Sequence, residues 1–373
     1  MSGSSPRRWF PWLTAALVLL GVGALALLPT EDTERRCVFP PLAGGEEAII
    51  FGGDTFLGLS ADRLMAREGR QAQLQHLAPL FAGARAVVVN QEGAITARGP
   101  MRGPNGKKRG YGAHPKTAAA LAAAGVTHAS LANNHALDRG IGGLRDSARH
   151  LREAGVIPFG WGEDLDEALA PVVIEAGGVR VALVGMLHPW PKYWKAGWAV
   201  TEDRPGLLML RRPRIVEAVA RARDAADLVV LFGHTGREYQ PLHSSQRTEA
   251  DWAVEAGVDV FIGHHSHVAQ GWSHHRGMPT VWGLGNLAFG SSGRFGGDGY
   301  GLVARMVLAD GVLQRIELLV IETDPARTGY QSRPARLGDA RRVLGDLVTQ
   351  GPSELVLRGD VAVLAATPPT GSD

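Results

Sequence analysis

Several histidines in this sequence directly follow short apolar runs. His265-x-His267 comes after residues 258–262, and His234 stands one glycine beyond residues 227–232. On a loop that leaves a strand, alternate residues can turn inward together, so two imidazoles can face the same metal ions. An isolated His-x-His is more often surface or core histidine than a ligand pair. Its recurrence with His234 at a second strand end favours a metal site.

Oxygen-bearing side chains follow other apolar runs. These are Asp54 after residues 48–51, Glu92 after 86–89, Asn133-Asn134-His135 after 127–131, and Asn286 after 279–282. Taken alone, Asn133-Asn134 could cap a helix or form a turn. The single cysteine, Cys37, excludes a disulfide framework or a thiolate metal cluster within one chain. One or two divalent ions held by histidine, carboxylate and amide groups are therefore expected, with Mn, Fe, Zn or Mg as candidates.

The runs themselves predict the fold class. Four to six apolar, largely β-branched residues are typical of a strand covered on both faces. Helical segments are predicted between these strands, at residues 71–81, 117–124, 142–154, 215–225 and 246–256. This alternation indicates parallel βαβ units of an α/β protein, in which ligands bind beyond the carboxyl ends of the strands. Residues 300–321 predict a closing hairpin, and residues 335–348 a helix in the tail.

Composition limits the function classes. The 373 residues are 45% apolar and 20% charged, which is typical of a globular protein. The formal net charge of +2 gives no sign of a nucleic-acid binder. The length allows one large domain or two modest ones.

The N-terminus carries a targeting signal. Arg7 and Arg8 precede the almost uncharged apolar residues 9–28, which as a helix would span about 30 Å, the hydrocarbon thickness of a bilayer. The arginines predict a cytoplasmic N-terminus, so residues 1–28 would be a single-pass anchor with the main domain extracytoplasmic. Ala24-Leu25-Ala26 could instead be a signal-peptidase site, which would give a secreted protein. Residues 29–46 predict a linker.

A family resemblance rests on six motifs that agree in order and spacing. They are Gly53-Asp54, Asn90-x-Glu92, Ala132-Asn133-Asn134-His135-Ala136-x-Asp138-x-Gly140, His234-x-Gly236-x-Glu238-Tyr239, Gly263-His264-His265-x-His267-Val268 and Leu284-Gly285-Asn286. Over residues 47–323 the chain resembles the CapA family of capsule-synthesis, poly-γ-glutamate-associated proteins, which in turn resembles the calcineurin-like metallophosphoesterases. The remaining residues, 324–373, are expected to form a C-terminal tail.

The resemblance implies a four-layer αββα sandwich, preceded here by the transmembrane helix, with two metals at the strand ends. It implies that Asp54, Glu92 and His267 hold one metal. Glu92 would bridge to the second, which is held by Asn134, His234 and His265. His135 would be the catalytic acid or transition-state donor.

The chain departs from the family patterns at three positions. Phosphoesterase relatives carry Asp-x-His in the first motif, whereas this chain has Asp54-Thr55-Phe56, so the first metal lacks one imidazole. Thr235 stands where CapA relatives often have Trp, and Gly283 where they often have Ser. The last two changes bear on the substrate wall more than on the metals.

Other side chains are expected behind the ligands or against the substrate. This group comprises Asn133, Glu238, Asn286, Arg98 and Arg102. The two arginines begin a basic stretch, residues 98–109, that could guide a polyanion or form a solvated loop. His264 is expected to point away from the ligands and pack, and His188 is expected to be an ordinary histidine. The aromatic residues 189–198 could form a lid or a membrane-facing rim, or could pack in the core or on the surface.

These observations predict a membrane-anchored, extracytoplasmic protein with a metal-dependent hydrolase site that handles an anionic cell-surface polymer, in a complex with a membrane synthase. Two alternatives remain open. One is a non-catalytic subunit that binds polymer or the synthase, and the other is a general exported metallophosphoesterase.

Overall fold

The computed structural model describes residues 33–100, 110–291, 299–349 and 356–367. The predicted anchor, residues 9–28, lies outside these ranges, as do Arg102 and the rest of the basic stretch up to residue 109. Among the helices described, none combines the length and the apolar character that a membrane span requires.

Strands and helices alternate along the described chain. The strands are β1 (Glu47–Phe56), β2 (Ala86–Gln91), β3 (Ala94–Ile95), β4 (Gly112–Ala113), β5 (His128–Ser130), β6 (Ile157–Phe159), β7 (Trp161–Gly162), β8 (Val172–Ala176), β9 (Val179–Leu187), β10 (Gly206–Leu207), β11 (Leu228–His234), β12 (Val260–His264), β13 (Trp272–His275), β14 (Met278–Val281), β15 (Asn286–Phe289), β16 (Tyr300–Ala309), β17 (Val312–Glu322), β18 (Arg333–Pro334), β19 (Leu357–Arg358) and β20 (Val361–Ala365). The helices are α1 (Asp62–Glu68), α2 (Ala78–Phe81), α3 (Thr117–Ala123), α4 (Gly140–Glu153), α5 (Leu165–Leu169), α6 (Pro191–Lys195), α7 (Arg212–Arg223), α8 (Ser244–Ala256), α9 (Pro325–Thr328) and α10 (Leu337–Thr349), with 3-10 turns at Leu59–Ala61 and Arg70–Leu74.

The larger sheet has the order β19-β20-β17-β16-β1-β2-β5-β6, and β15 and β18 pair with β1 and β17. Strands β1, β2, β5 and β6 are parallel, as the strand–helix alternation predicts. The predicted hairpin is confirmed, because β16 and β17 pair antiparallel beside β1.

The smaller sheet has the order β13-β14-β12-β11-β9-β8. Its parallel strands β9, β11, β12 and β14 are flanked by two antiparallel edge strands, β8 and β13. The β8–β9 hairpin was not predicted from the sequence. Its strands lack the polar cluster at the strand end by which the other strands were recognised.

The two sheets pack face to face. The ring of Phe51 in β1 lies 6.0 Å from that of Phe232 in β11, and Phe159 of β6 lies 6.3 Å from the same ring. On the smaller sheet, α7 and α8 bury Ile215 and Ala250 in one apolar cluster with β11. Helices α4 and α10 contact β6 and β17 of the larger sheet. The predicted mixed α/β class is confirmed.

Two segments differ from their predicted form. Residues 71–81 are not one helix, because Pro79 has no N–H to continue an α-helical ladder; a 3-10 turn and the short α2 replace it. The segments predicted as linker and tail also pack against each other. The buried Cys37 donates its N–H to the Ala335 carbonyl, and Arg35 pairs with Asp360. Since β20 pairs with β17, the folded unit continues past residue 324.

Gly53 lies where two backbones approach closely beside the strand ends. A Cβ at Gly53 would lie 1.9 Å from the carbonyl oxygen of Gly285, which accepts the N–H of Asp54 at 2.9 Å. We expect Gly53→Ala to lower the free energy of unfolding by about 1–3 kcal/mol, because the backbone must move apart. Gly345→Ala is the matched control, since nothing lies within 4 Å of its Cβ in α10. Chemical denaturation of both variants checks this. A Gly53→Ala variant that is as stable as the Gly345→Ala variant would contradict it.

Candidate metal centre

The predicted ligands lie at the carboxyl ends of strands from both sheets. Asp54 is near the end of β1, Glu92 follows β2, His234 ends β11, and His265 follows β12. Because these strands are parallel within their sheets and the sheets face each other, their polar ends meet at one edge of the sandwich. All four side chains are buried.

The carboxylate of Asp54 is the most connected group in this cluster. Its Oδ1 accepts a hydrogen bond from Asn90 Nδ2 at 2.8 Å and lies 3.3 Å from His264 Nδ1. Its Oδ2 accepts the backbone N–H of His265 at 3.0 Å and lies 3.5 Å from His267 Nδ1. Burial alone would raise the pKa of Asp54, but His264 and His267 outweigh burial and lower it. The group is therefore ionised.

Asp54, Glu92 and His267 form a three-ligand group whose donor atoms lie within 4.8 Å of one another. The Oε1 of Glu92 is 3.9 Å from Nε2 of both His267 and His135, which is too long for a hydrogen bond. Neither Glu92 oxygen receives a hydrogen bond from a described residue. Burial, and then the charge of Asp54, raise the pKa of Glu92 well above its ordinary value. A divalent cation would supply the missing partner, so this group fits a metal.

The second predicted group is also brought together. His234 Nε2 lies 2.9 Å from Asn134 Oδ1, and the His265 ring centroid is 4.5 Å from that of His234. Within the described residues, the buried Nδ1 of His265 has no hydrogen-bond partner. Burial lowers the pKa of His234 and of His265 well below the ordinary value, so both imidazoles are neutral. Neutral imidazole nitrogens and an amide oxygen are suitable ligands for a divalent ion.

His264 does not point away from the ligands, contrary to the sequence interpretation. Its Nδ1 lies 2.9 Å from His234 Nδ1, and together with Asp54 the two histidines form another group that could hold a metal. The reason is register: His264 is the direct cross-strand partner of His234 in the β11–β12 pair. Its ring also packs on Phe232, so His264 links the polar site to the core.

His135 faces Glu92 and is held from behind. Its Nδ1 lies 2.7 Å from Asp138 Oδ2, which leaves Nε2 directed toward the Glu92 carboxylate. The ring of Tyr111 lies 3.9 Å from the imidazole, and the Tyr111 N–H also contacts Asp138. Asp138 belongs to the sequence motif, but no role was predicted for it. The signal available in the sequence was that Asp138 follows His135 by three residues on a turn.

Asn133 and Asn286 support the ligands. Asn133 Nδ2 donates to the Gln91 carbonyl at 2.8 Å, and its Oδ1 accepts the N–H of His135 at 3.1 Å, which fixes the loop after β5. Asn286 Oδ1 lies 2.8 Å from His267 Nδ1, so the Nε2 of His267 is left free to face Glu92.

The remaining predicted residues lie further out. Glu238 is exposed, and its charge contributes to the raised pKa of Glu92, so it lies at the rim. Arg98 forms an ion pair with Asp146 at 2.9 Å, which already balances its charge. Trp190, from the aromatic stretch, lies 4.6 Å from the His265 ring and forms a wall of the site.

Backbone strain is concentrated at the same loop. His265 and His267 have φ of 97° and 57°, in the region that favours glycine. Such a conformation costs about 1–3 kcal/mol per residue and persists only where the surroundings hold it in place. Here the hydrogen bond from the His265 N–H to Asp54 and the contact of His267 with Asn286 hold it.

The comparisons with known proteins identify the family. The model of the Bacterial capsule synthesis protein PGA_cap family matches residues 48–291, which is more than half of the chain. The chain belongs to this family. The resemblance predicted from the six motifs is confirmed.

Two relatives of this PGA_cap protein are named for capsule or PGA biosynthesis. The Capsule biosynthesis protein CapA of Bacillus anthracis is 30% identical over 284 residues, covering 74% of this chain and 68% of the relative. The PGA biosynthesis protein CapA of Bacillus subtilis (strain 168) is 26% identical over 241 residues, covering 64% of this chain and 62% of the relative. Among solved structures, the calcineurin-like phosphoesterase YfkN from Bacillus subtilis aligns with a TM-score of 0.48 at 14% identity, covering 82% of this chain and 96% of that chain.

The carboxylate of Glu92, which accepts no hydrogen bond within the described ranges, leads to a prediction about stability. A group whose pKa is raised by folding stabilises the folded state only at low pH, and this contribution is lost as the pH rises toward the raised value. In the presence of a chelator at pH 8, the free energy of unfolding of Glu92→Gln should therefore be about 1–3 kcal/mol larger than that of the unmodified chain. The difference should be smaller at pH 5. Denaturant unfolding at both pH values measures this. A Gln variant that is less stable at pH 8 would show that Glu92 is already satisfied without metal.

Proposed function

We propose that this PGA_cap protein is a divalent-metal hydrolase that acts on a cell-surface polymer. The observation that carries the proposal is a pair of candidate ligand groups that share Asp54, one of which contains Glu92, a buried carboxylate whose oxygens receive no hydrogen bond from a described residue. The packing of helices against two face-to-face sheets agrees with the αββα sandwich that the CapA resemblance implies.

The residues divide between two ions. Asp54, Glu92 and His267 would hold the first, and Asn134, His234 and His265 would hold the second together with Glu92. Bound divalent ions supply Lewis acidity and a water of lowered pKa at neutral pH. Mn, Fe, Zn and Mg remain the candidates, because the ligands are nitrogen and oxygen without thiolate.

His135 would donate a proton to the leaving group. Asp138 accepts the proton of Nδ1, so Nε2 faces Glu92 and would hold the transferable proton when the ring is in its imidazolium form. Tyr111 packs against the imidazole and keeps its plane constant. A fixed donor is more effective than a mobile one because its orientation is already established before the reaction.

The proposed cellular setting rests on the names of the relatives and on the N-terminal sequence. The Bacillus relatives are named for capsule and PGA biosynthesis, and we extend this to synthesis, processing or export of an anionic polymer such as poly-γ-glutamate by this chain. Residues 9–28 would anchor it in the membrane with the metal domain outside the cytoplasm, beside a membrane synthase. Cleavage after the apolar segment would give a secreted form.

A non-catalytic accessory role is the second candidate. Phe56 occupies the place of the phosphoesterase histidine, and its buried ring lies 5.0 Å from Tyr111, so it cannot ligate the first metal. A relative from Mycobacterium tuberculosis (strain CDC 1551 / Oshkosh), 29% identical over 210 residues and covering 54% of each chain, is named as a probable polyglutamine synthesis accessory protein. A chain with weak or absent first-metal binding would suit this role.

The test combines elemental analysis with a substrate panel of phosphodiesters, phosphomonoesters and poly-γ-glutamate. We expect about two metals per chain, and loss of hydrolysis in chelator. His265→Ala should reduce the rate at least about 100-fold, because it removes a direct ligand. His274→Ala is the matched control, since His274 in β13 contacts only the Ala365 carbonyl among the hydrogen-bond partners described.

Each result separates the candidates. Full activity of the metal-free protein would contradict the hydrolase proposal. A chain that binds no metal and turns over no substrate, but still binds the polymer, would favour the accessory role. Turnover of phosphoesters without any effect on polymer would favour a general exported phosphoesterase.

A separate prediction concerns His135. His135→Gln should lower turnover of substrates with poor alkoxide leaving groups by about 100-fold or more, with unchanged metal content, because general acid catalysis is lost. A p-nitrophenyl ester, whose leaving group needs no proton, should be affected much less. Equal losses on both substrates would show that His135 acts in some other way.

A further inference from the structure

A second buried carboxylate lies close to the metal centre but outside it. Glu249 in α8 is 2% exposed, and both of its oxygens are engaged. The hydroxyl of Thr235 donates to Oε2, and His188 Nδ1 contacts Oε1. The sequence interpretation assigned no role to Glu249 and treated His188 as ordinary.

Both partners of Glu249 are attached to the backbone of His234. Thr235 is the next residue, and its N–H donates to the His264 carbonyl at 3.0 Å. His188 follows β9, and its N–H donates to the carbonyl of His234 at 3.0 Å. One carboxylate therefore fixes the chain on both sides of a proposed ligand.

The same carboxylate reaches the other histidine of the second group through two ring contacts. The His188 ring lies 4.5 Å from Trp190, and Trp190 lies 4.6 Å from His265. Trp190 is only half buried, so surrounding side chains do not enclose it on every side. The His188 ring, which Glu249 anchors, is one of the contacts that hold Trp190 over His265, together with Tyr193 and the apolar core.

A role in fold stability alone explains the arrangement less well. A charge on the buried face of a helix is costly, and an apolar residue would pack α8 against the sheet at a lower cost. Thr235 and Glu249 instead form a buried polar pair. The pair adds hydrogen bonds directed at the two loops that carry the second ligand group.

We infer that Glu249 is a positioning residue for the second metal, acting through Thr235 and His188 on His234 and Trp190. This inference rests on the proposed metal centre. Glu249 contacts no proposed ligand side chain among its described hydrogen bonds, so its effect must appear as a change in how tightly the second ion binds.

Calorimetric titration of the metal-free full chain with Mn²⁺ tests the inference. Glu249→Gln keeps the side-chain shape but replaces one acceptor oxygen with an amide donor, so Thr235 and His188 can no longer both donate to this side chain as they do to the carboxylate. The second ion should bind about 10–100-fold more weakly, while the first binds as in the unmodified chain. Glu255→Gln is the matched control, because Glu255 lies in the same helix and forms a surface ion pair with Arg212.

The outcomes separate this inference from the proposed function. A variant that binds both ions like the unmodified chain overturns the positioning role, and so does equal weakening of both ions, which a purely structural role would produce. If Glu249→Gln does not fold, Thr235→Val decides: weaker binding of the second ion supports the inference, and unchanged binding overturns it. An unmodified chain that binds no Mn²⁺ overturns the proposed metal centre and the inference with it.

Discussion

Two carboxylates buried side by side need compensating charge, and this requirement explains much of the site. Asp54 and Glu92 are both fully buried, and removing an ion from water costs several kcal/mol unless partners replace the lost hydration. Asp54 finds those partners in Asn90, the His265 N–H and two imidazoles. Glu92 receives no hydrogen bond from a described residue, and burial holds its pKa high. Without a cation the raised pKa favours the protonated, neutral form of Glu92, and a divalent cation would stabilise the ionised form.

The rest of the fold brings these groups together and compensates for the strain that their close approach creates. The two mixed sheets face each other, and five of their parallel strands bring the candidate ligands to one edge. Close approach there requires Gly53, and the loop after β12 holds His265 and His267 in left-handed conformations. Such strain at a ligand loop is typical of a preorganised site. Asn286 restricts the orientation of His267 and Asp138 that of His135, while Glu249 holds the neighbours of His234.

The sequence predicted that these polar side chains would meet, because each follows an apolar run and parallel strands bring their ends to one edge. Their division into two ligand groups came from the CapA resemblance. The sequence also predicted the β16–β17 hairpin, since two apolar runs flank Asp310-Gly311. It missed His264 because side-chain direction there depends on the register between β11 and β12. It missed Glu249 because nothing local shows which face of a helix meets a distant loop. The β8–β9 hairpin carries no polar cluster and gave no comparable signal.

The central claim is that residues far apart in the chain form one pocket that binds divalent ions. Anomalous diffraction from crystals of the full chain grown with Mn²⁺ tests it most directly. The account predicts two peaks, each about 2.0–2.3 Å from its ligand atoms, one beside Asp54 and His267 and one beside His234 and His265. A map without a peak at Glu92, from crystals whose solution contains ample Mn²⁺, would contradict it.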